Sequence, residues 1–123
     1  MNRSILLALA AGVTAALVWS PPALAQAFPN KPIKLVVPYA PGGLPDTVAR
    51  LLAQRLQGPL GQPVVVENRA GGGGATAAAA LAQSPADGHT LMVTDGPLLA
   101  ITPLVSRQMS YDPAKDFTPV SLV

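Results

Sequence analysis

The segment that most constrains the fold is a short apolar run that leads through a glycine loop into a helical pattern. The run Ile33–Val37 ends at Pro38, and Pro41-Gly42-Gly43 follows a few residues later. Apolar residues then recur at helical spacing, which predicts an amphipathic helix over residues 45–57. Its predicted apolar face carries Val48, Leu51, Leu52 and Leu56, and its polar face carries Arg50, Gln54 and Gln57.

The start of this helix has features of an anion site. Pro45 suits the first helical turn, where a missing N–H costs nothing, and Asp46 faces the positive end of the helix dipole. Gly42 and Gly43 would leave backbone N–H groups free to hold a carboxylate or phosphate. A plain strand-to-helix turn without a ligand explains the same residues. Asp46 would repel an anion at close range, so it could orient the loop, hold a bridging water or meet an ammonium group.

The remaining chain alternates strand and helix patterns, which predicts an α/β fold with a mostly parallel sheet flanked by helices. Gly58-Pro59 is predicted to end the first helix. Further strands are expected at 63–67 and 89–94, a helix at 75–83 and a short helix at 98–104. A loop is expected at 111–117, with Tyr111 and Phe117 packed beneath it, and another strand is expected to begin at 120–123.

A second glycine cluster, residues 71–74, follows the second predicted strand and opens the second predicted helix. The carboxyl ends of parallel strands meet at one edge of a sheet, where open α/β sheets bind ligands. The two glycine loops are therefore predicted to lie side by side. Glycine lets the backbone approach a ligand, and Thr76 adds a hydroxyl donor. A flexible linker is the alternative, because four glycines are costly to order.

The same cluster admits a different function, a dinucleotide-binding, Rossmann-like oxidoreductase fragment that uses the loop from Gly72 to Ala77. Gly72, Gly74 and Ala77 fit that fingerprint, with Asp95 placed to meet a ribose. Residues 67–70 nevertheless separate the strand from the glycines, where the fingerprint requires a tight turn. A P-loop is excluded, because no Gly-Lys-Ser/Thr follows the glycines.

The first 25 residues have the layout of a secretory signal peptide. Arg3 precedes an uncharged apolar run, a Ser20-Pro21-Pro22 break and the small-x-small sequence Ala23-Leu24-Ala25. Cleavage is expected before Gln26, which predicts an exported, periplasmic protein. The apolar run, residues 5–19, is shorter than the roughly 20 residues of a membrane-spanning helix.

Composition excludes several classes of site. Lys and Arg number eight, one of them Arg3, against six Asp and Glu, so no basic patch favours nucleic acid. The chain has no cysteine, which excludes disulfides, thiol catalysis and thiolate metal sites. His89 is the one histidine and is expected in a surface turn, so no metal site is predicted. No nucleophile, acid or base stands in a catalytic arrangement, and we expect neither enzymatic activity nor a cofactor.

Four motifs, in order along the chain, resemble those of the substrate-binding proteins of tripartite tricarboxylate transporters, the Bug or TctC family. The first is Pro38-Tyr39-Ala40-Pro41-Gly42-Gly43 with Asp46 and Ala49-Arg50. The others span residues 60–69, 86–91 and 111–120. Leu44-Pro45, the added glycine at 70–75 and His89, where the family usually has tyrosine, depart from its pattern.

The resemblance implies one lobe of a type II periplasmic-binding-protein-like fold. Residues 26–123 would be the first lobe of a truncated two-lobed receptor, which captures a small di- or tricarboxylate or related organic acid as a monomer. A membrane permease would be a possible partner, and many such proteins have no dedicated permease. The implied ligand-binding residues are Tyr39, Ala40, Pro41, Gly42, Gly43, Asp46, Gly72, Gly73, Gly74, Ala75, Thr76, Thr94 and Asp95.

Overall fold

The computed structural model of the chain describes residues 27–106 and 109–123, so the predicted signal peptide lies outside the described residues. Three strands form one parallel sheet in the order β2-β1-β3: β1 (Ile33–Val37), β2 (Val64–Asn68) and β3 (Thr90–Met92). This confirms the predicted α/β fold with a parallel sheet. In the described residues, no helix is both long and apolar enough to span a membrane.

The helices cover both faces of this sheet. They are α1 (Leu44–Leu60), α2 (Ala75–Ala82), α3 (Gly96–Ala100) and α4 (Thr102–Val105), and a 3₁₀ turn (Gly72–Gly74) precedes α2. Strand side chains alternate between faces. Leu35 and Val37 therefore pack with α1, whereas Met92 packs on the other face with Ala78 of α2. Apolar strands buried on both faces are expected of a parallel sheet.

The strand order creates a switch point between β1 and β3. From central β1 the chain passes to β2 on one side and then crosses back to β3 on the other. The helix after β1 lies on one face, whereas Leu98 of α3, which follows β3, packs on the opposite face. The loops after these two strands therefore diverge, and open α/β sheets bind ligands in the crevice this leaves.

Helix α1 is longer than predicted. The expectation that Gly58-Pro59 ends it was wrong, because Pro59 lies inside the last turn and the helix ends at Leu60. The left-handed residue that closes it is Gly61 at φ 63°, whose N–H donates to the carbonyl of Gln57 at 3.0 Å. Pro59 has no N–H to donate within the helix, yet Leu60 continues the helix and packs on the core.

The predicted apolar face of α1 was partly wrong. Leu52 and Leu56 pack on the core as expected, but Leu51 is 54% exposed. The buried line of the helix runs instead through Ala49 and Ala53. These small side chains let the helix approach the sheet closely, which a pattern based on large apolar residues overlooks.

Other element bounds also differ from the expectations. Strand β2 begins one residue later, and β3 is shorter than 89–94. The predicted helix at 98–104 is divided at Ile101, because Pro103 has no N–H to continue the ladder. Residues 120–123 form no strand and are exposed, since no described strand lies beside them to pair with.

Two aromatic contacts close the core. Tyr111 is 6% exposed, and its hydroxyl donates to the Leu98 carbonyl at 3.1 Å. The ring centroids of Tyr111 and Phe117 are 5.6 Å apart, which confirms the packing expected beneath the loop at 111–117. His89 was expected at the surface but is only 8% exposed. The Phe28 ring contacts the His89 ring edge-on, with 4.8 Å between the ring centroids, although the two residues are far apart in sequence.

Candidate functional site

Three loops meet at the carboxyl edge of the sheet. The first edge loop, residues 38–43, follows β1, the second, residues 69–74, follows β2, and the third, residues 93–95, follows β3. Each runs into a helix or helical turn, as expected of parallel strands connected by helices. The predicted binding residues all lie in these loops or in the first turns of the helices that follow.

Asn68 ties the end of β2 to the first edge loop and to α1. It is the last residue of β2, and its side-chain N–H₂ donates to the Tyr39 carbonyl at 3.1 Å and to Asp46 Oδ1 at 2.9 Å. Its side-chain oxygen accepts from Arg50 at 3.2 Å. One amide side chain thus fixes the end of β2 against the loop and helix that follow β1.

Asp46 holds the first edge loop from within. Asp46 is 3% exposed, and its Oδ2 accepts hydrogen bonds from the Gly42 N–H at 2.8 Å and from Arg50 Nε at 3.0 Å. The expectation that Gly42 leaves its N–H free was therefore wrong. Hydrogen bonds from Arg50, then Gly42, then Asn68 lower the pKa of Asp46 to about 2. Of the roles left open for Asp46, orienting the loop is the one that these contacts describe.

This network makes the stability of the chain pH-dependent. The folded pKa of Asp46 lies below its ordinary 3.8, so its contribution is complete above about pH 4 and is lost as the pH falls towards about 2. We expect Asp46→Asn to lower the thermal midpoint at pH 6 and to flatten its fall between pH 4 and pH 2.

Asp87 is the matched control for this titration. Its pKa is also about 2, because Lys31 and the His89 N–H donate to it at the opposite edge of the sheet. Asp87→Asn should flatten the fall of the thermal midpoint over the same pH range without disturbing the edge loops. A wild-type slope in Asp46→Asn across that window would contradict the assigned role of Asp46.

Tyr39 ties the first edge loop to the third. Its hydroxyl donates a hydrogen bond to Asp95 Oδ1, and this bond spans the crevice at the switch point. Partial burial raises the pKa of Tyr39, and the Asp95 carboxylate raises it further. The hydroxyl therefore keeps its proton at neutral pH and remains a donor to that carboxylate.

Gly74 packs the second edge loop against Leu98 of α3 and Pro38 of the first edge loop. A Cβ added at Gly74 would lie 2.6 Å from Leu98 Cδ1 and 3.3 Å from Pro38 Cβ. Its φ of +95° also favours glycine. Gly74 is buried and makes a packing contact beneath the loop, whereas Gly71, Gly72 and Gly73 are exposed.

The second edge loop forms a defined turn. Gly71, Gly72, Gly73 and Gly74 all have positive φ, and the Gly74 N–H donates to the Gly71 carbonyl at 2.9 Å. This is the ordered alternative to the flexible linker. Residues 69–71 separate β2 from the 3₁₀ turn, so the tight strand-to-glycine turn of the dinucleotide fingerprint is absent from this part of the chain.

The exposed backbone of the edge carries unused donors. In the described part of the chain, no acceptor takes the N–H groups of Gly43, Leu44, Gly72 or Gly73. Ala40, Pro41, Gly42, Thr76 and Asp95 are exposed beside them, and Ala75 and Thr94 are half-buried. Thr94 Oγ1 lies 3.4 Å from the Asp95 carbonyl.

Arg50 and Asn68 are the residues that the sequence analysis did not assign to the site. Arg50 follows Asp46 by four residues on α1, a spacing that brings opposite charges together on a helix. That spacing was available in the sequence. Asn68 had no comparable local signal, because its partners lie 22 and 29 residues away.

Comparison with known proteins identifies the family. Residues 48–123 match the model of the tripartite tricarboxylate transporter family receptor. Protein BugT of Bordetella pertussis is 42% identical over 124 residues, which cover 100% of this chain and 38% of BugT. The chain therefore spans less than half the length of that relative.

Solved structures agree with this match. Rpa4515 of R. palustris with adipate has a TM-score of 0.73 and 46% identity, over 76% of this chain and 31% of that one. MatC from Rhodopseudomonas palustris with bound malate has a TM-score of 0.64 and 44% identity, over 76% and 32%. The chain belongs to the tripartite tricarboxylate transporter receptor family.

Proposed function

We propose that the chain is the ligand-binding first lobe of an extracytoplasmic solute receptor that captures a small organic acid by its carboxylate. The observation that carries this function is the pair of glycine-rich helix starts at one sheet edge. Gly43 and Leu44 present free N–H groups on one side, and Gly72 and Gly73 present them on the other.

Backbone N–H groups at helix starts suit an anion for two reasons. They have no partner inside the helix, and the aligned peptide dipoles make that end positive. Helix α1 has 17 residues and therefore carries a developed dipole. The Asn68 network holds the first edge loop against the end of β2, where the second edge loop begins, so less ordering is needed when a ligand arrives. Adipate and malate, which are bound to the two related structures, are both small dicarboxylates.

The remaining parts of the proposal concern the longer protein. Residues 26–123 form the first lobe, residues 1–25 direct export to the periplasm, and a second lobe closes over the ligand and excludes water. We propose delivery to a membrane permease from family membership alone, since no contact in this chain bears on it. Binding and release, without a chemical step, are the activity proposed.

A thermal-shift screen tests this function. The full chain is compared with a chimera that joins it to the part of BugT that it does not match, each against dicarboxylates, tricarboxylates, amino acids, nicotinate and NAD. A ligand at 100 times its Kd should add about 2.7 kcal/mol to the unfolding free energy. We expect organic acids to stabilise the chimera more than the chain alone. Stabilisation of the chain by NAD would instead support the dinucleotide alternative.

Gly43→Val should abolish that stabilisation without unfolding the protein. Gly43 has φ −78°, and an added Cβ would meet nothing closer than 3.8 Å, so valine fits the backbone. Its branched side chain would cover the N–H groups that hold the carboxylate. Thermal shift of the chimera measures the effect.

Gly58→Val is the control for the added side chain. Gly58 lies two residues before the end of α1, and a Cβ there meets nothing within 4 Å. This variant should keep the wild-type response to organic acids. Equal responses of Gly43→Val and wild type would place the carboxylate elsewhere.

A further inference from the structure

Asp95 stands apart from most acids of the chain in having no cationic partner. Four of the six acidic residues form ion pairs with Lys or Arg: Asp46, Glu67, Asp87 and Asp112. In the described residues Asp95 forms none, although it is exposed at the carboxyl edge. Its charge is therefore uncompensated beside the loops that present N–H donors.

The orientation of Asp95 is also unusual for its position. It is the N-cap residue of α3, where aspartate ordinarily accepts an N–H of its own helix. Asp95 makes no such capping bond. Its Oδ1 instead accepts the Tyr39 hydroxyl across the switch point, and no donor in the described part of the chain reaches Oδ2. The Asp95 side chain therefore lies in the crevice without the capping hydrogen bond, and its Oδ2 has no donor from the described residues.

The geometry points to Asp95 as the residue that determines ligand specificity, selecting acids with a hydroxyl or ammonium group next to the bound carboxylate. This inference rests on the proposed function, because it places the ligand at the same edge. The loop groups assigned to the bound carboxylate are all N–H donors, so a free Oδ2 adds a charged acceptor to the site. A hydroxyl or ammonium group would pair with that oxygen, whereas a second carboxylate placed there would be repelled.

Tyr39 acts through Asp95 as a positioning residue. Its hydroxyl fixes Oδ1 and so decides where Oδ2 points. Half-burial of Tyr39 against the core holds the ring in place. Removing the hydroxyl should leave the charge of Asp95 unchanged but allow its carboxylate to rotate. Selectivity should therefore weaken, while affinity for a plain dicarboxylate is kept.

Three four-carbon acids test the inference by calorimetric titration of the full chain and of the BugT chimera. Succinate has no donor beside its carboxylates, malate adds a hydroxyl and aspartate adds an ammonium group. A hydrogen bond to a charged group should favour malate and aspartate over succinate by about tenfold or more. Asp95→Asn should remove most of the preference for aspartate and strengthen succinate binding, and Tyr39→Phe should reduce both preferences.

Asp116→Asn is the matched control. Asp116 also lacks an ion pair in the described residues but lies in the exposed loop at 111–117, and its replacement changes the net charge equally. It should leave all three affinities unchanged. Equal binding of the three acids to wild type, or the same response to both asparagine variants, would overturn the role of Asp95 while leaving carboxylate capture intact. If neither protein binds any of these acids, the proposed function fails as well.

Discussion

Replacing Gly74 by alanine should cost about 2–5 kcal/mol of unfolding free energy. A left-handed backbone costs a non-glycine residue roughly 1–2 kcal/mol, and overpacking adds roughly 1–3 kcal/mol. The new methyl group would lie 2.6 Å from Leu98 Cδ1. Leu98 is 1% exposed and Pro38 lies on the other side at 3.3 Å, so neither neighbour can move into solvent. Urea unfolding of the full chain measures the loss.

Gly73→Ala separates the backbone cost from the overpacking cost. Gly73 has a φ of +63°, but an added Cβ there meets nothing within 4 Å. This variant should lose only the backbone term, about 1–2 kcal/mol. Leu98→Ala opens space beside Gly74, so Gly74→Ala should cost less in that background than in wild type. Equal losses at positions 73 and 74 would contradict the packing role of Gly74.

Asn68→Ala should both destabilise the chain and weaken ligand binding. It removes two donated hydrogen bonds and one accepted bond, and it leaves the Tyr39 carbonyl and the Oδ1 atom of Asp46 without the donor that they share. Unpaired groups of this kind cost about 1–3 kcal/mol. The first edge loop would then lose its side-chain tie to the end of β2, so affinity for organic acids should fall together with stability. Urea unfolding and thermal shift measure the two effects.

Asn68→Asp distinguishes this hydrogen-bond role from simple packing. The new carboxylate would lie where the amide donated to Asp46 at 2.9 Å. Two carboxylates at that distance raise the pKa of one of them above its unfolded value, so stability falls as the pH rises through that pKa. Asn68→Asp should therefore lie closest to wild type near pH 4 and furthest below it at pH 7. The same pH profile in Asn68→Ala would exclude repulsion as the cause.

Most of the fold was predictable because its signals are local. The apolar run of β1, the glycine loop and the repeat of apolar residues in α1 each report on neighbours within a few positions. The end of α1 was mispredicted because glycine and proline occur there together, and only the left-handed conformation of Gly61 shows which residue closes the helix. Ala49 and Ala53 were overlooked because alanine carries no strong pattern signal.

The candidate site was less predictable, because its ties connect residues distant in sequence. The glycine loops could be placed at one edge from the strand–helix alternation alone. Tyr39 and Asp95 lie 56 residues apart, and nothing in the spacing indicates that they share a hydrogen bond. Burial likewise divides the glycine cluster into Gly74, which packs on Leu98, and the exposed residues 71–73. Burial also contradicts the expected surface position of His89, which is only 8% exposed.

The most direct test of the account is an amide-resolved NMR titration of the full chain, and of the BugT chimera, with malate. We predict that the N–H resonances of Gly43, Leu44, Gly72 and Gly73 shift downfield together, as expected when backbone donors bind a carboxylate. The N–H groups of Gly58 and Gly88, which lie away from this edge, should not move. Malate-induced shifts confined to other residues, or shifts of the glycine cluster with NAD but not with malate, would contradict carboxylate capture at this edge.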